Sequence, residues 1–276
     1  MGLRRAPGGY ALVAAALTVA LAGCTQQPQG NDADPDQVDA VAAPEVGVCR
    51  VLSPSDVEMP ANATETVECS EPHTAETYAV GELPAEFDDS DYSSKELSAF
   101  AYRTCTEAFM KHMQADESTV LRTILTWAWF RPSEKAWDKG ARWYRCDVVG
   151  GRIEHQDGSD DDEYRPLPET TEGLLAGRPD DRWMTCAVGP SVADGTKVAC
   201  NQRHDWRAVT TIKLGEPEDP YPGDEVVDSR TRAFCQKSVE AWLNYPSTFD
   251  FNYTYFHEAE WDAGNRRSVC WAQTDD

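Results

Sequence analysis

Two histidines stand where chemistry would be simplest to build. His73 closes the block Val67-Glu68-Cys69-Ser70-Glu71-Pro72-His73, and His204 closes Val198-Ala199-Cys200-Asn201-Gln202-Arg203-His204; each follows its cysteine by four residues. A neutral imidazole there can bind metal, act as a base or sense pH. It can equally bond its ring nitrogens to backbone and fix the turn after the cysteine. The structural use is expected, because no second His or carboxylate keeps a matched position beside both rings. Glu76, three residues after His73, is replaced by Arg207 in the second block, so a His/Glu acid–base pair would exist only once. The other recurring charges are Asp138 with Arg142 and Asp262 with Arg266. A buried Asp–Arg pair bracing a turn is expected there, with an Arg-held carboxylate or phosphate ligand as the functional alternative. His257-Glu258 lacks the second His of a zinc-hydrolase helix, and no nucleophile elbow, phosphate loop or dinucleotide fingerprint occurs. No catalytic residue, cofactor or metal site is therefore expected.

These residues belong to an internal repeat. Trp137-Asp138-Lys139-Gly140-Ala141-Arg142 leads to Cys146, and Trp261-Asp262-Ala263-Gly264-Asn265-Arg266 leads to Cys270, with identical spacing of Trp, Asp, Gly, Arg and Cys. Each half opens on a cysteine, Cys49 or Cys186, and carries another in a helix-like stretch, Cys105 or Cys235. Around Cys105, Phe100, Ala101, Ala108, Phe109 and Met113 share a helical face. Around Cys235, Ala233, Phe234, Val239 and Trp242 do much the same, which places the cysteine at the edge of a buried stripe. Residues 74–80 and 207–214 read as strands, as do the aromatic runs 126–130 and 251–256; an exposed face on those runs would mark a partner or glycan site. Trp137 and Trp261 read as core, and Gly140 and Gly264 as turn residues free to take positive φ. The expected fold is α+β: two tandem small domains, 45–150 and 182–276, each a mainly antiparallel sheet covered by a helix and stapled by two disulfides, joined by an acidic linker over 151–181. Four cysteines per unit allow three pairings, and the helical cysteine is expected to meet a strand.

The ninth cysteine belongs to neither set of four. Arg4 and Arg5, an apolar run over 10–23 and Leu21-Ala22-Gly23-Cys24 have the form of a signal peptide (1–23) ending in a lipobox, in which Cys24 receives a diacylglycerol and becomes the mature N-terminus. Two or more acyl chains make a lasting anchor, at about 0.8 kcal/mol per buried CH₂. Export would also oxidise the other eight thiols. Residues 24–44, with four Asp and no basic residue, are expected to form a disordered acidic tether. Charge points the same way. With 48 acidic and 25 basic residues the chain carries −23, and losing Arg4 and Arg5 with the signal peptide leaves −25. Such a surface repels nucleic acid, so no nucleic-acid partner is expected.

The order Gly47-Val48-Cys49, then Val67-x-Cys69-Ser70-x-Pro72-His73, then a helical cysteine and a closing Trp-x-x-Gly-x-Arg-x-x-x-Cys resembles the septum-formation domain family of high-GC Gram-positive bacteria. The second copy departs from it at Met184, in place of Gly47, and at Arg203, in place of Pro72. The resemblance implies a role in cell-envelope or division processes and assigns no catalytic residue. The expected function is a non-catalytic module on the extracytoplasmic face of the cell membrane, lipid-anchored and binding an envelope or division protein or a wall polymer. A wall-active hydrolase using His73 or His204, and a solute-binding lipoprotein, are the alternatives.

Overall fold

The computed structural model of the chain describes residues 33–154 and 160–274. Cys24 and the signal-peptide reading lie outside them. In the first half, β1 (Cys49–Arg50), β2 (Thr66–Val67), β3 (Ala75–Glu82), β4 (Thr126–Phe130) and β5 (Trp143–Val149) form an antiparallel sheet in the order β2-β1-β3-β5-β4. β6 (Arg152–Glu154) and β7 (Asp160–Tyr164) pair as a separate hairpin. The second half repeats the first sheet with β8 (Thr185–Val188), β9 (Thr196–Ala199), β10 (Trp206–Lys213), β11 (Phe251–Thr254) and β12 (Arg267–Gln273), in the order β9-β8-β10-β12-β11. Even the register irregularity recurs, between Thr77 and Ala79 on β3 and between Ala208 and Thr210 on β10. The fold is α+β with two sheet-and-helix units.

The helices are α1 (Pro35–Val38), α2 (Pro54–Val57), α3 (Lys95–Met113), α4 (Glu117–Val120), α5 (Glu134–Asp138), α6 (Asp224–Trp242) and α7 (Glu258–Ala263). The two long ones cover the sheets through rows of every fourth residue, one face of a helix. On α3 the row is Leu97, Ala101, Cys105, Phe109, Met113; on α6 it is Val227, Thr231, Cys235, Val239. Each helical cysteine lies inside this stripe rather than at its edge, and bonds to the closing strand: Cys105 to Cys146, Cys235 to Cys270. Trp242, expected on the buried face of α6, is 48% exposed, because the buried row runs through Thr231 and Cys235 and turns Ala233 and Trp242 outward. The remaining cysteines pair as Cys49–Cys69 and Cys186–Cys200.

Packing extends into the segment expected to be a disordered tether and into the acidic linker. Over 24–44, the described part from Ala33 onward lies on the first unit: Asp34 N donates to Ala63 O (2.8 Å), Ser133 Oγ to Asp39 Oδ1 (2.7 Å) and Trp143 Nε1 to Ala40 O (3.4 Å). A short helix forms where none was read, because Asp34 caps α1 and Pro35 starts it. The linker 151–181 likewise buries Leu167 and Leu175 in the first core, with Leu167 N bonded to His73 O (2.9 Å). Leu167 stands between two prolines and Leu175 in the pair Leu174-Leu175, runs too short to show a helical or strand period. The two units then meet directly. Ile124 N donates to Trp183 O (3.0 Å) and Thr185 N to Arg122 O (2.8 Å), while Arg267 pairs with Glu117.

Candidate functional site

His73 and His204 occupy the same place in the two units and are used identically. Each Nδ1 bonds the backbone carbonyl two residues earlier, Glu71 O at 2.7 Å and Gln202 O at 2.8 Å. The rings are 2% and 3% exposed, and neither Nε2 has a hydrogen-bond partner among the described residues. One ring nitrogen, not both, fixes the turn that leads into β3 or β10. Glu76 does not join His73. Its carboxylate accepts from Thr171 N (2.6 Å) and Thr171 Oγ1 (2.5 Å) and lies 3.9 Å from His112 Nε2, so it clamps the linker onto the first unit. Burial holds the His112 pKa below its ordinary value against the opposing pull of Glu76.

The Asp–Arg brace expected at 138/142 and 262/266 is not formed. Asp138 and Asp262 are exposed and make no ion pair with the arginines. Each arginine instead stacks on the tryptophan of its own motif, Arg142 at 4.0 Å from the Trp137 centroid and Arg266 at 3.8 Å from that of Trp261. Arg142 donates to the carbonyls of Trp137 (2.9 Å), Ala141 (2.8 Å) and Asp88 (2.8 Å). Arg266 donates to those of Trp261 (2.5 Å), Asn265 (3.1 Å), Pro217 (2.9 Å) and Glu216 (3.2 Å). Trp and Asp stand at the end of α5 or α7, and a positive-φ glycine, Gly140 (+94°) or Gly264 (+117°), reverses the chain so that the arginine folds back on the helix end. At Gly264 a Cβ would also stand 2.5 Å from the Tyr102 ring of the other unit. The carbonyls at a helix C-terminus are partly negative, and those of Trp137 and Trp261, which already accept from Gly140 N and Gly264 N (2.9 Å each), take the arginine as a second donor in place of a carboxylate partner.

A third cluster was not foreseen. Arg50 and Arg145, each 1% exposed, and Asp147, 0% exposed, meet under the first sheet. Asp147 lies 3.0 Å from Arg145 and accepts from Thr77 Oγ1 (2.7 Å), which in turn accepts from Arg50 (2.8 Å). Asn62 Oδ1 receives Arg145 at 3.1 Å, and Thr64 O receives Arg50 Nε at 3.1 Å. Burial, then the like charge of Arg145, push the Arg50 pKa down to about 10, with Asp147 opposing; burial also lowers that of Arg145. Arg50 and Arg145 are among the residues lining a cavity of about 290 Å³ that the 37–45 segment closes on one side. The signal was available in the sequence at positions where the repeats disagree.

The aromatic runs form β4 and β11, one of the two edge strands of each sheet, opposite β2 and β9. Trp127 and Trp129 are half-buried, and Phe249, Phe251, Tyr253, Tyr255 and His257 follow one another through β11 and its flanks, up to the N-cap of α7, at centroid spacings of 5.1–6.4 Å. Among the described residues no group of three or more His, Cys, Asp or Glu could hold a metal ion, and no helix is long and apolar enough to cross a membrane.

Fold and repeat thus define a tandem, disulfide-stapled α+β protein. The chain is matched by the family model described as septum formation over residues 16–131 and 122–270, and it belongs to that family. The two matched segments, overlapping over 122–131, are consistent with two copies of the domain. Family membership suggests a role in septum or cell-division processes. No curated protein and no solved structure matches the chain.

Proposed function

We propose that the chain is a non-catalytic binding module of the cell envelope, anchored through a lipid on Cys24 at the extracytoplasmic face of the membrane and acting in septum formation. One observation carries the choice of binding over hydrolysis. His73 and His204, the recurring acid–base candidates, are buried and tied by Nδ1 to their own turns, so neither can reach a substrate. The residues common to both units serve the scaffold, which leaves function to surfaces and to features present in one unit. Eight residues separate Cys24 from Ala33, where docking on the first unit begins, and those nine chain steps reach at most roughly 30 Å. The first unit would therefore work near the membrane, presenting β4 and the cavity to an envelope or division protein or to a wall polymer.

The test is a fluorescent fusion of the full chain in growing cells. Membrane retention with enrichment at division sites, and release of Cys24→Ala into the medium, are expected. Unchanged retention of Cys24→Ala, or an even distribution around the cell, would overturn the reading.

A further inference from the structure

The buried Arg50–Arg145–Asp147 cluster has an internal control. Through the paired strands, Arg50 corresponds to Ala187, Thr77 to Ala208, Arg145 to Val269 and Asp147 to Trp271. In the second unit all four of those positions meet in an apolar cluster, with Val269 packed at its side. None of those four positions carries a charge in the second unit, where the one cation at the cluster is Lys197, whose Nζ lies 4.6 Å over the Trp271 ring and donates to Val192 O (2.9 Å). Replacing a buried ion cluster by packed apolar groups is often neutral or stabilising, so fold alone gives no reason to keep two arginines and an aspartate in the first unit.

The charges also do not balance. Two guanidinium groups face one carboxylate, and a buried excess cation is costly unless an anion joins it. The donors are not all satisfied: the buried Arg145 Nε has no hydrogen-bond partner among the described residues, and Gln37 Oε1 reaches Arg50 only at 3.5 Å. Both arginines floor the cavity of about 290 Å³, whose wall includes Ala42, Pro44, Val48 and Trp143. That volume is near the lower end for small-ligand pockets and far above the roughly 30 Å³ of one water. An apolar wall over a cationic floor suits an anion carried on a small apolar body. Glu45, exposed at the same cavity, opposes an anion from the mouth.

We propose that this cavity binds a carboxylate borne on a small apolar group, of the kind a peptide presents at its C-terminal residue, with Arg50 and Arg145 receiving the carboxylate and Trp143 covering the apolar part. The site goes beyond the septal role and does not depend on it.

The test uses the soluble mature chain, isotope-labelled, with the Trp143 indole resonance identified through Trp143→Phe. N-acetyl-alanine is expected to shift that resonance in a saturable way, while N-acetyl-alanine amide is not. Gln37→Glu keeps both arginines and places a tethered carboxylate beside Arg50; it is expected to weaken binding by roughly ten- to a hundredfold, the worth of a charge-assisted pair. Arg50→Gln should weaken it similarly, and Glu45→Gln should strengthen it. No saturable shift, equal binding of the amide, inorganic phosphate binding as tightly as the carboxylate, or an unaltered affinity in Gln37→Glu would each overturn the proposal.

Discussion

Arg266 lies over Trp261, 3.8 Å from the ring centroid, and ties the end of α7, through the carbonyls of Trp261 and Asn265, to the loop carbonyls of Glu216 and Pro217. Arg142 does the same over Trp137. Removing either arginine loses a stacked cation and several charge-assisted bonds to carbonyls, an expected cost of about 2–3 kcal/mol for Arg142→Ala or Arg266→Ala. Asp138→Ala and Asp262→Ala should change stability by no more than about 0.5 kcal/mol, as exposed side chains do. Urea unfolding separates the two. An Asp138→Ala cost equal to that of Arg142→Ala would restore the ion-pair brace.

The disulfides differ in reach and in shelter. Cys105–Cys146 and Cys235–Cys270 span 41 and 35 residues, Cys49–Cys69 and Cys186–Cys200 span 20 and 14. In the chain-entropy model the longer pair are worth about 4 kcal/mol each and the shorter about 3. Their sum per unit approaches a typical folding stability of about 5–15 kcal/mol, so the fully reduced protein should lose its near-UV circular dichroism. Cys69 is half-buried while the helix-to-strand bridges have no exposed sulfur, so mild reductant should open Cys49–Cys69 before Cys105–Cys146. Thiol tagging with mass spectrometry gives the order, and the reverse order would contradict it.

His112 sets an acid-side dependence. Its folded pKa lies below its ordinary value of about 6.5 because burial disfavours the charged ring. The unfolded chain then takes up the proton more readily. The contribution of this residue is complete above about pH 6.5 and is lost as pH falls through that value toward the folded pKa. His112→Gln can still bond Thr171 and has no proton to bind, so between about pH 7.5 and pH 5.5 its urea midpoint should fall less than that of the native chain. A steeper fall in the variant would reverse the assigned sign.

Much of the architecture was legible in the sequence, for physical reasons that differ by element. The cysteine order and the Trp-Asp-x-Gly-x-Arg spacing exposed the repeat, because residues that close a turn or a disulfide must keep their intervals. Gly140 and Gly264 were read correctly as positive-φ positions, while Trp137 and Asp138 proved to end a helix. Asp138 misled because an exposed carboxylate and a brace look alike in one dimension; the partner of Arg142 is a set of backbone carbonyls, which no side-chain spacing announces. The docking of residues 33–44 rests on single contacts such as Trp143 to Ala40, which leave no period behind. The buried charges beside Cys49 and Cys146 were hidden for the opposite reason. Attention to what the repeats share passes over Arg50, Arg145 and Asp147, whose counterparts are Ala187, Val269 and Trp271.

The central claim is that the first unit binds an envelope partner. A photo-crosslinking residue in place of Val46, which is exposed beside the cavity segment, tests it most directly in growing cells. The expected result is a stable adduct with one defined envelope protein or wall fragment, more abundant in dividing than in resting cells. No adduct above that of the same residue placed at exposed Trp242 on the second unit, or equal adducts in dividing and resting cells, would contradict the account.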